Sequence, residues 1–297
     1  MSRSYLPLLV ALSAIWGSSY MFIKVALRDL APTTVVELRL LLAAFVLLGF
    51  VAARGRLTST RAAIAPGAFV GLIGMAVPFL LITWGETHID SGVAAVANSS
   101  VPIFVALLAL RLARSERSGG LRLVGLGIGL AGVAVVVGIH RGGGWWAVAG
   151  TSAVVAASVL YALTSLFIQK RLHVGGPELA AASVVWGAAA MFPFALARLP
   201  DHVGWKPLGA VLALGVAATG VAQLLVNRLI GEHGPARAML VNYLLPGFAL
   251  LYGVVLLGES LTGAEVAGLV LILAGVSLAS GLVGRSRRTV ALSEPPG

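Results

Sequence analysis

The sequence predicts an all-α membrane protein: ten transmembrane helices arranged as two inverted five-helix repeats. Three observations carry this expectation. The 297 residues are 59% hydrophobic and only 11% charged, with a mean hydropathy of +0.98, whereas an ordinary soluble domain carries about 25% charged residues. The apolar residues gather into runs of bilayer-crossing length. The two halves of the chain also match one another at a nearly constant offset.

Composition alone excludes a water-soluble enzyme, a disordered chain and a coiled coil, because so few charges cannot coat a soluble surface. The net charge of +10 would suit a nucleic acid only if carried on one face of a soluble fold. Here the basic residues sit between apolar runs, so the expected partners are the lipid bilayer and a small-molecule substrate, with no nucleic acid. Cysteine is absent, which removes disulfides, thiolate catalysis and cysteine metal sites.

A helix needs about 20 mostly apolar residues to cross the hydrocarbon core. Ten such runs are present: Tyr5–Lys24, Thr33–Ala53, Ala62–Trp84, Ser91–Leu112, Arg122–Ile139, Trp145–Gln169, Glu178–Ala197, Pro207–Ile230, Pro235–Leu257 and Thr262–Val283. The first imitates a signal peptide through Arg3, an apolar core and Leu12-Ser13-Ala14. Its apolar run continues to Lys24, however, so it reads as a first transmembrane helix. The spans leave only short connectors and a short tail, so residues 1–297 are expected to form one polytopic membrane domain.

Basic residues orient the chain, since cytoplasmic connectors are enriched in Lys and Arg. With a cytoplasmic N-terminus, fifteen of the 21 fall inside, among them Arg54, Arg56, Arg61, Arg114, Arg117, Arg285, Arg287 and Arg288. Five fall outside, namely Lys24, Arg28, Arg141, Arg198 and Lys206, and Arg39 alone lies within a span. Both termini are therefore expected in the cytoplasm, with the chain in a bacterial plasma (inner) membrane.

The internal match is carried by specific residues. Ser13, Trp16, Phe22, Ile23 and Pro32 meet Ser158, Tyr161, Phe167, Ile168 and Pro177 at offset 145; Gly71, Asn98, Pro102 and Phe104 meet Gly215, Asn242, Pro246 and Phe248 at offset 144. Glu116, Gly125, Gly132 and Val133 meet Glu259, Gly268, Gly275 and Val276 at offset 143. The repeats would cover 5–139 and 145–283, with a cytoplasmic tail over 284–297. Each holds five spans, an odd number, so the second enters the membrane upside-down. Inverted repeats with a site between them at mid-depth are an architecture of secondary transporters.

The segments Trp16-Gly17-Ser18-Ser19-Tyr20-Met21-Phe22-Ile23-Lys24 and Glu37-Leu38-Arg39-Leu40-Leu41-Leu42-Ala43 resemble the opening of EamA-type proteins of the drug/metabolite transporter superfamily. Gly258-Glu259-Ser260-Leu261-Thr262, then Gly268 and Ala274-Gly275-Val276, resemble the end of the same unit. The resemblance covers nearly the whole chain. It implies a ten-helix carrier, commonly an exporter of amino acids or related metabolites.

Polar residues at bilayer depth are costly unless they face the protein interior or a wet cavity, so they outline a pathway. Ser13, Trp16, Tyr20 and Lys24 share one face of the first span, and Ser158, Tyr161, Ser165 and Gln169 share the matching face of the sixth. The serines suit helix packing; Trp16 and Tyr161 lie far from the interfacial belts. Pro102 and Pro246 each withdraw a donor from the residue four positions back, which is Asn98 or Asn242. The asparagines then serve either a ligand or the kinked helix itself. Arg39 sits roughly 6 Å from the middle of its span, as either a carboxylate anchor or a structural ion partner. Glu37 lies about 200° around the same helix and is the sole carboxylate well inside a span, hence the candidate proton carrier. Thr219, Gln223 and Asn227 form a stripe in the eighth span, and Trp186 adds an aromatic in the seventh.

Three motifs are decoys. Gly127-Ile128-Gly129-Leu130-Ala131-Gly132 has no preceding strand and reads as a close-packing surface. Asn98-Ser99-Ser100 is a buried glycosylation pattern, and Thr262-Gly263-Ala264-Glu265 is a capping box. No metal-ligand spacing and no cofactor motif occurs. The expected function is a secondary transporter for a small polar metabolite. A carrier for anionic sugars or phosphates is the alternative, followed by a membrane enzyme or a helix-bundle assembly protein.

Overall fold

The computed structural model describes residues 5–112, 120–138, 144–171 and 176–279. These form ten helical crossings and no strand among the described residues: α1 (Tyr5–Ala26), α2 (Pro32–Ala53), α3 (Thr58–Gly85), α4 (Ser91–Asn98 and Val101–Leu112), α5 (Gly120–Gly138), α6 (Gly144–Arg171), α7 (Pro177–Leu196), α8 (Trp205–His233), α9 (Pro235–Ala238 and Val241–Leu257) and α10 (Gly263–Ala279). Seven are long and apolar enough to cross a membrane; α5, α9 and α10 contribute shorter apolar helices. The chain is a multi-pass membrane protein. Glu116, Arg114, Arg117, Arg141, Arg285, Arg287, Arg288 and the 284–297 tail lie outside the described residues.

Local chemistry sets the helix ends. Pro32 and Pro177 open α2 and α7, where a missing N–H costs nothing and the fixed φ is already helical. Gly176, at φ +78°, supplies the left-handed turn into α7. The capping box forms as expected: Thr262 N–H donates to Glu265 Oε2 at 3.0 Å, and Glu265 N–H donates to Thr262 Oγ1 at 3.3 Å.

Helix pairings come in matched sets. α1 packs on α8 and α9, while α6 packs on α3 and α4; α2 packs on α8, while α7 packs on α3. The remaining large contacts are α2 with α7 and α5 with α10. Lipid tails give apolar helices no reason to prefer each other, so small residues that admit close approach select the partner. A Cβ on Gly275 would strike the backbone of Gly129, and one on Gly132 would meet Ile272 N at 2.8 Å. The glycine-rich decoy is thus a packing surface at Gly129 and Gly132, while Gly127 faces open space.

α3 and α8 each carry a π-helical stretch, Leu72–Ala76 and Ala213–Val221. Both follow or enclose a glycine pressed on a neighbour: a Cβ on Gly71 would collide with Ser183 O, and one on Gly215 with Leu42 Cβ. α4 is interrupted at Ser99–Ser100, whose hydroxyls donate back to Val96 O and Ala97 O, each at 2.6 Å. Pro102 therefore sits in the first turn of a restarted helix, where its missing N–H is tolerated. Pro246 lies inside Val241–Tyr252, which runs through it; the irregular stretches of α9 are Met239–Leu240 before and Gly253–Leu257 after.

Successive crossings alternate in direction, so α1 ends, α3 ends and α4 begins at one end of the bundle, here the Lys24 end; the opposite is the Tyr5 end. Packing differs between them. At the Lys24 end the first seven residues of α4, Ser91–Ala97, are all buried. At the Tyr5 end the matching stretch of α9, over residues 237–241, buries Ala238 and Val241 but leaves Arg237 and Met239 exposed and Leu240 half-buried.

Candidate functional site

Arg39 has the strongest physical claim to a site. It is only 7% exposed, and a buried charge must be paired or hydrogen-bonded to survive. Its Nε donates to Thr219 Oγ1 at 2.8 Å, and its guanidinium carbon lies 3.8 Å from the centre of the Phe79 ring. The Thr219 hydroxyl in turn donates to Leu214 O at 2.9 Å. Both capacities of that hydroxyl are used, so its orientation is locked. Leu214 belongs to the π-helical stretch of α8, and a carbonyl five residues back is within reach there. Three helices, α2, α3 and α8, thus hold one cation.

The guanidinium makes no other hydrogen bond among the described residues, and its terminal N–H groups remain for a ligand. A planar fork of donors matches a carboxylate in a bidentate way. Tyr161, Tyr20 and Glu86 lie within electrostatic reach of it. Tyr20 accepts from Asn98 Nδ2 at 2.8 Å, and Ser158 Oγ donates to Asn98 Oδ1 at 3.2 Å. Asn98, the residue just before the break in α4, therefore joins α1 to α6, one helix from each half. Trp16 and Tyr161 are half-buried and pack against the same apolar cluster as Tyr20, Val96 and Ala97.

The other residues singled out from the sequence lie elsewhere. Ser165 accepts from Gln169 Nε2 at 3.3 Å, farther along α6 toward the Tyr5 end. Gln223 and Asn242 are half-buried on the same side of the bundle, in α8 and α9. Trp186 is 41% exposed and donates from Nε1 to Ile64 O at 2.9 Å, tying α7 to the start of α3. Glu37 is buried with Oε2 unpartnered and makes no pair with Arg39 among the described residues.

Three contributors escaped the sequence. Phe79 looked like an ordinary apolar residue. Glu86 falls two residues beyond an apolar run and reads as connector, yet it is fully buried with both carboxyl oxygens unpartnered. Glu259, noted only as a repeat ending, accepts from Ser91 N–H at 2.9 Å, Ser91 Oγ at 2.7 Å and Gly92 N–H at 3.1 Å. The signal for Glu86 was available: Lys24, at the far end of α1, needs acceptors at that depth and finds Glu86 O at 2.7 Å and Ile89 O.

Polar links tie the helices together at the Lys24 end. Besides Lys24 and Glu259, Asp29 Oδ2 accepts from Gly204 N–H at 2.8 Å, and Thr34 Oγ1 donates to Arg198 O at 3.0 Å. The Tyr5 end has the Tyr5 hydroxyl on Arg237 O at 3.1 Å, the Arg56–Glu178 pair at 2.7 Å and Trp186 on Ile64. No cluster of three or more metal-ligating side chains occurs among the described residues.

Comparison with known proteins identifies the family. The EamA-like transporter family matches residues 3–138 and again residues 148–281. The chain is 30% identical over 275 residues to an uncharacterized inner membrane transporter, YedA, of Escherichia coli K12, covering 89% of this chain and 87% of that one. It is 30% identical over 308 residues to a probable amino-acid metabolite efflux pump of Salmonella typhimurium, covering 99% and 100%. A crystal structure 21% identical superposes with a TM-score of 0.67 over 97% of this chain and 100% of the other, which shows a shared fold. A doubly matched family, ten helices and a buried polar cluster where the halves meet describe a membrane transporter rather than an enzyme, and the chain belongs to the EamA-like transporter family.

Proposed function

We propose that the protein is a secondary carrier that exports amino acids or related small metabolites across a bacterial inner membrane by alternating access between two inverted five-helix halves. Both termini are cytoplasmic, so the Lys24 end faces outward. The observation that carries this reading is Arg39: a buried guanidinium, braced by Thr219 and Phe79, with terminal donors free to take a carboxylate. Tyr20, Asn98 and Tyr161 supply neighbouring polar groups and rings for the rest of a small zwitterion. Trp16, Ser165, Gln223 and Asn242 line the route toward the Tyr5 end. Sealing at the Lys24 end and looser packing at the other correspond to an inward-facing state. The relative named as an amino-acid metabolite efflux pump supports the substrate class.

Reconstitution in liposomes with a panel of labelled amino acids and sugar phosphates tests this. Counterflow of at least one amino acid is expected, with Arg39→Ala reducing it by about tenfold or more, the scale of losing a charge-assisted bidentate contact. Arg39→Lys should retain part of the flux. Undiminished counterflow in a folded Arg39→Ala protein overturns the assignment of the anchor, and transport of sugar phosphates alone overturns the substrate class.

A further inference from the structure

Glu86 is a carboxyl group at the Lys24 end that the transport reading leaves without a task. It stands just past α3, in the connector to α4, and is fully buried. Neither carboxyl oxygen has a hydrogen-bond partner. The adjacent cation, Lys24 on α1, spends its ammonium on two backbone carbonyls of the same connector, Glu86 O and Ile89 O. Taking an ionised carboxylate out of water is strongly unfavourable unless it is paired and hydrogen-bonded. No hydrogen bond in this packing provides that compensation, which favours the neutral acid.

Among the described residues, the charged and titratable groups acting on it come from two helices and a connector. α1 brings Lys24 and Tyr20, α2 brings Arg39, and the α9–α10 connector brings Glu259. Within its own connector, His88 stacks on Trp146 at 5.1 Å and Asp90 is exposed. Burial drives the Glu86 carboxyl well above the usual carboxylate range; Lys24 pulls it down, Glu259 pushes it up, and Arg39 pulls it down. The dominant cause is burial, and in the carrier reading that burial lasts only while this end is shut.

We propose that Glu86 is a proton-binding switch, occupied when the Lys24 end closes and emptied when it opens. The proposal rests on the carrier reading, in which that end opens to the external phase. On closure the carboxylate accepts one proton from external water; on opening, water reaches the group, the O–H bond breaks and the proton returns to the same phase. The sign follows directly. The closed state holds the higher affinity for the proton, so closure is fully favoured at external pH below the open-state pKa and is lost as pH rises through the closed-state pKa. An acidic exterior thereby returns the empty carrier to the state that loads from inside.

The absence of cysteine makes the test clean. Ala94, fully buried at the start of α4, becomes the reporter as Ala94→Cys, and exposed Thr87 becomes the reference as Thr87→Cys. Each is labelled from outside with a membrane-impermeant maleimide between about pH 5.5 and about pH 8, and the ratio of the two rates removes the intrinsic pH dependence of the reagent. One linked proton changes the open-to-closed ratio by up to about tenfold per pH unit. The ratio should rise with pH in the parent protein and stay low and flat in Glu86→Gln, which mimics the neutral acid. Glu86→Asp should keep a pH dependence with a displaced midpoint. A flat parent profile overturns the proposal, as does a Glu86→Gln profile that still follows pH. Amino-acid counterflow measured on the same vesicles separates the two readings: a pH-dependent ratio without flux removes the carrier function and leaves the switch standing.

Discussion

The carboxylate of Glu259 closes over the first turn of α4, accepting the N–H groups of Ser91 and Gly92 and the Ser91 hydroxyl. A helix start presents unsatisfied donors and a partial positive charge, and this acid answers both from the other half of the chain. Gly253 lies directly beneath: a Cβ there would collide with Glu259 Oε2. The clasp therefore fastens the two halves at the Lys24 end.

Glu259→Gln keeps the shape of the clasp and removes its charge. Hydrogen bonds to charged groups contribute about 1.5–3 kcal/mol, so this end should open more often. The labelling of Ala94→Cys should then rise several-fold at fixed pH. Unchanged labelling would show that the clasp does not hold the end shut.

Thr219→Val tests whether the hydroxyl positions Arg39. It removes the hydrogen bonds to Arg39 and to Leu214 O, each worth about 1 kcal/mol, while preserving volume; loss of the Arg39 brace should raise KM for a transported amino acid about fivefold with kcat little changed. Thr219→Ser, which restores the hydroxyl, should recover the parent KM. Equal losses in both variants would point to packing instead.

The α5–α10 contact should tolerate no side chain at Gly275. Its Cβ would meet the backbone of Gly129, which cannot move aside as a flexible side chain can. Overpacking of this kind costs about 1–3 kcal/mol or more, so Gly275→Leu should lower the melting temperature in detergent. Gly127→Leu, which faces open space, should leave it unchanged. Identical melting of the two variants would sink this account of the pairing.

Orientation is read with the same reagent. Thr87→Cys, exposed at the Lys24 end, should label in intact cells, while Ser59→Cys, exposed at the Tyr5 end, should label only after permeabilisation. The reverse pattern would invert the assignment of inside and outside.

Helix positions were legible to within four residues wherever the structure describes both ends, and α10 begins on the capping box anticipated for it. Arg39 stood out because a charge inside an apolar run is anomalous without any knowledge of its neighbours. Of its braces, Thr219 was visible only as part of a polar stripe, since its pairing with Arg39 spans 180 positions, and Phe79 looks like any other core ring. Trp186 passed for a pathway residue because an aromatic within a span has no mark to distinguish an inward face from an outward one. Glu86 was hidden for the opposite reason. A carboxylate just past an apolar run reads as exposed connector, and only the inward fold of the α3–α4 connector beneath Lys24 buries it.

The amino-acid order by itself determined that the chain crosses a bilayer repeatedly, and where each crossing lies. The hydrocarbon core imposes a length and an apolarity on every span, and both are properties of a one-dimensional string. Which polar groups meet was decided only in three dimensions. Between helices as apolar as the lipid around them, no hydrophobic stripe sets the facing; rotation and partner are chosen by close contacts such as Gly275 on Gly129 and Gly215 on Leu42, and those contacts bring Arg39 to Thr219.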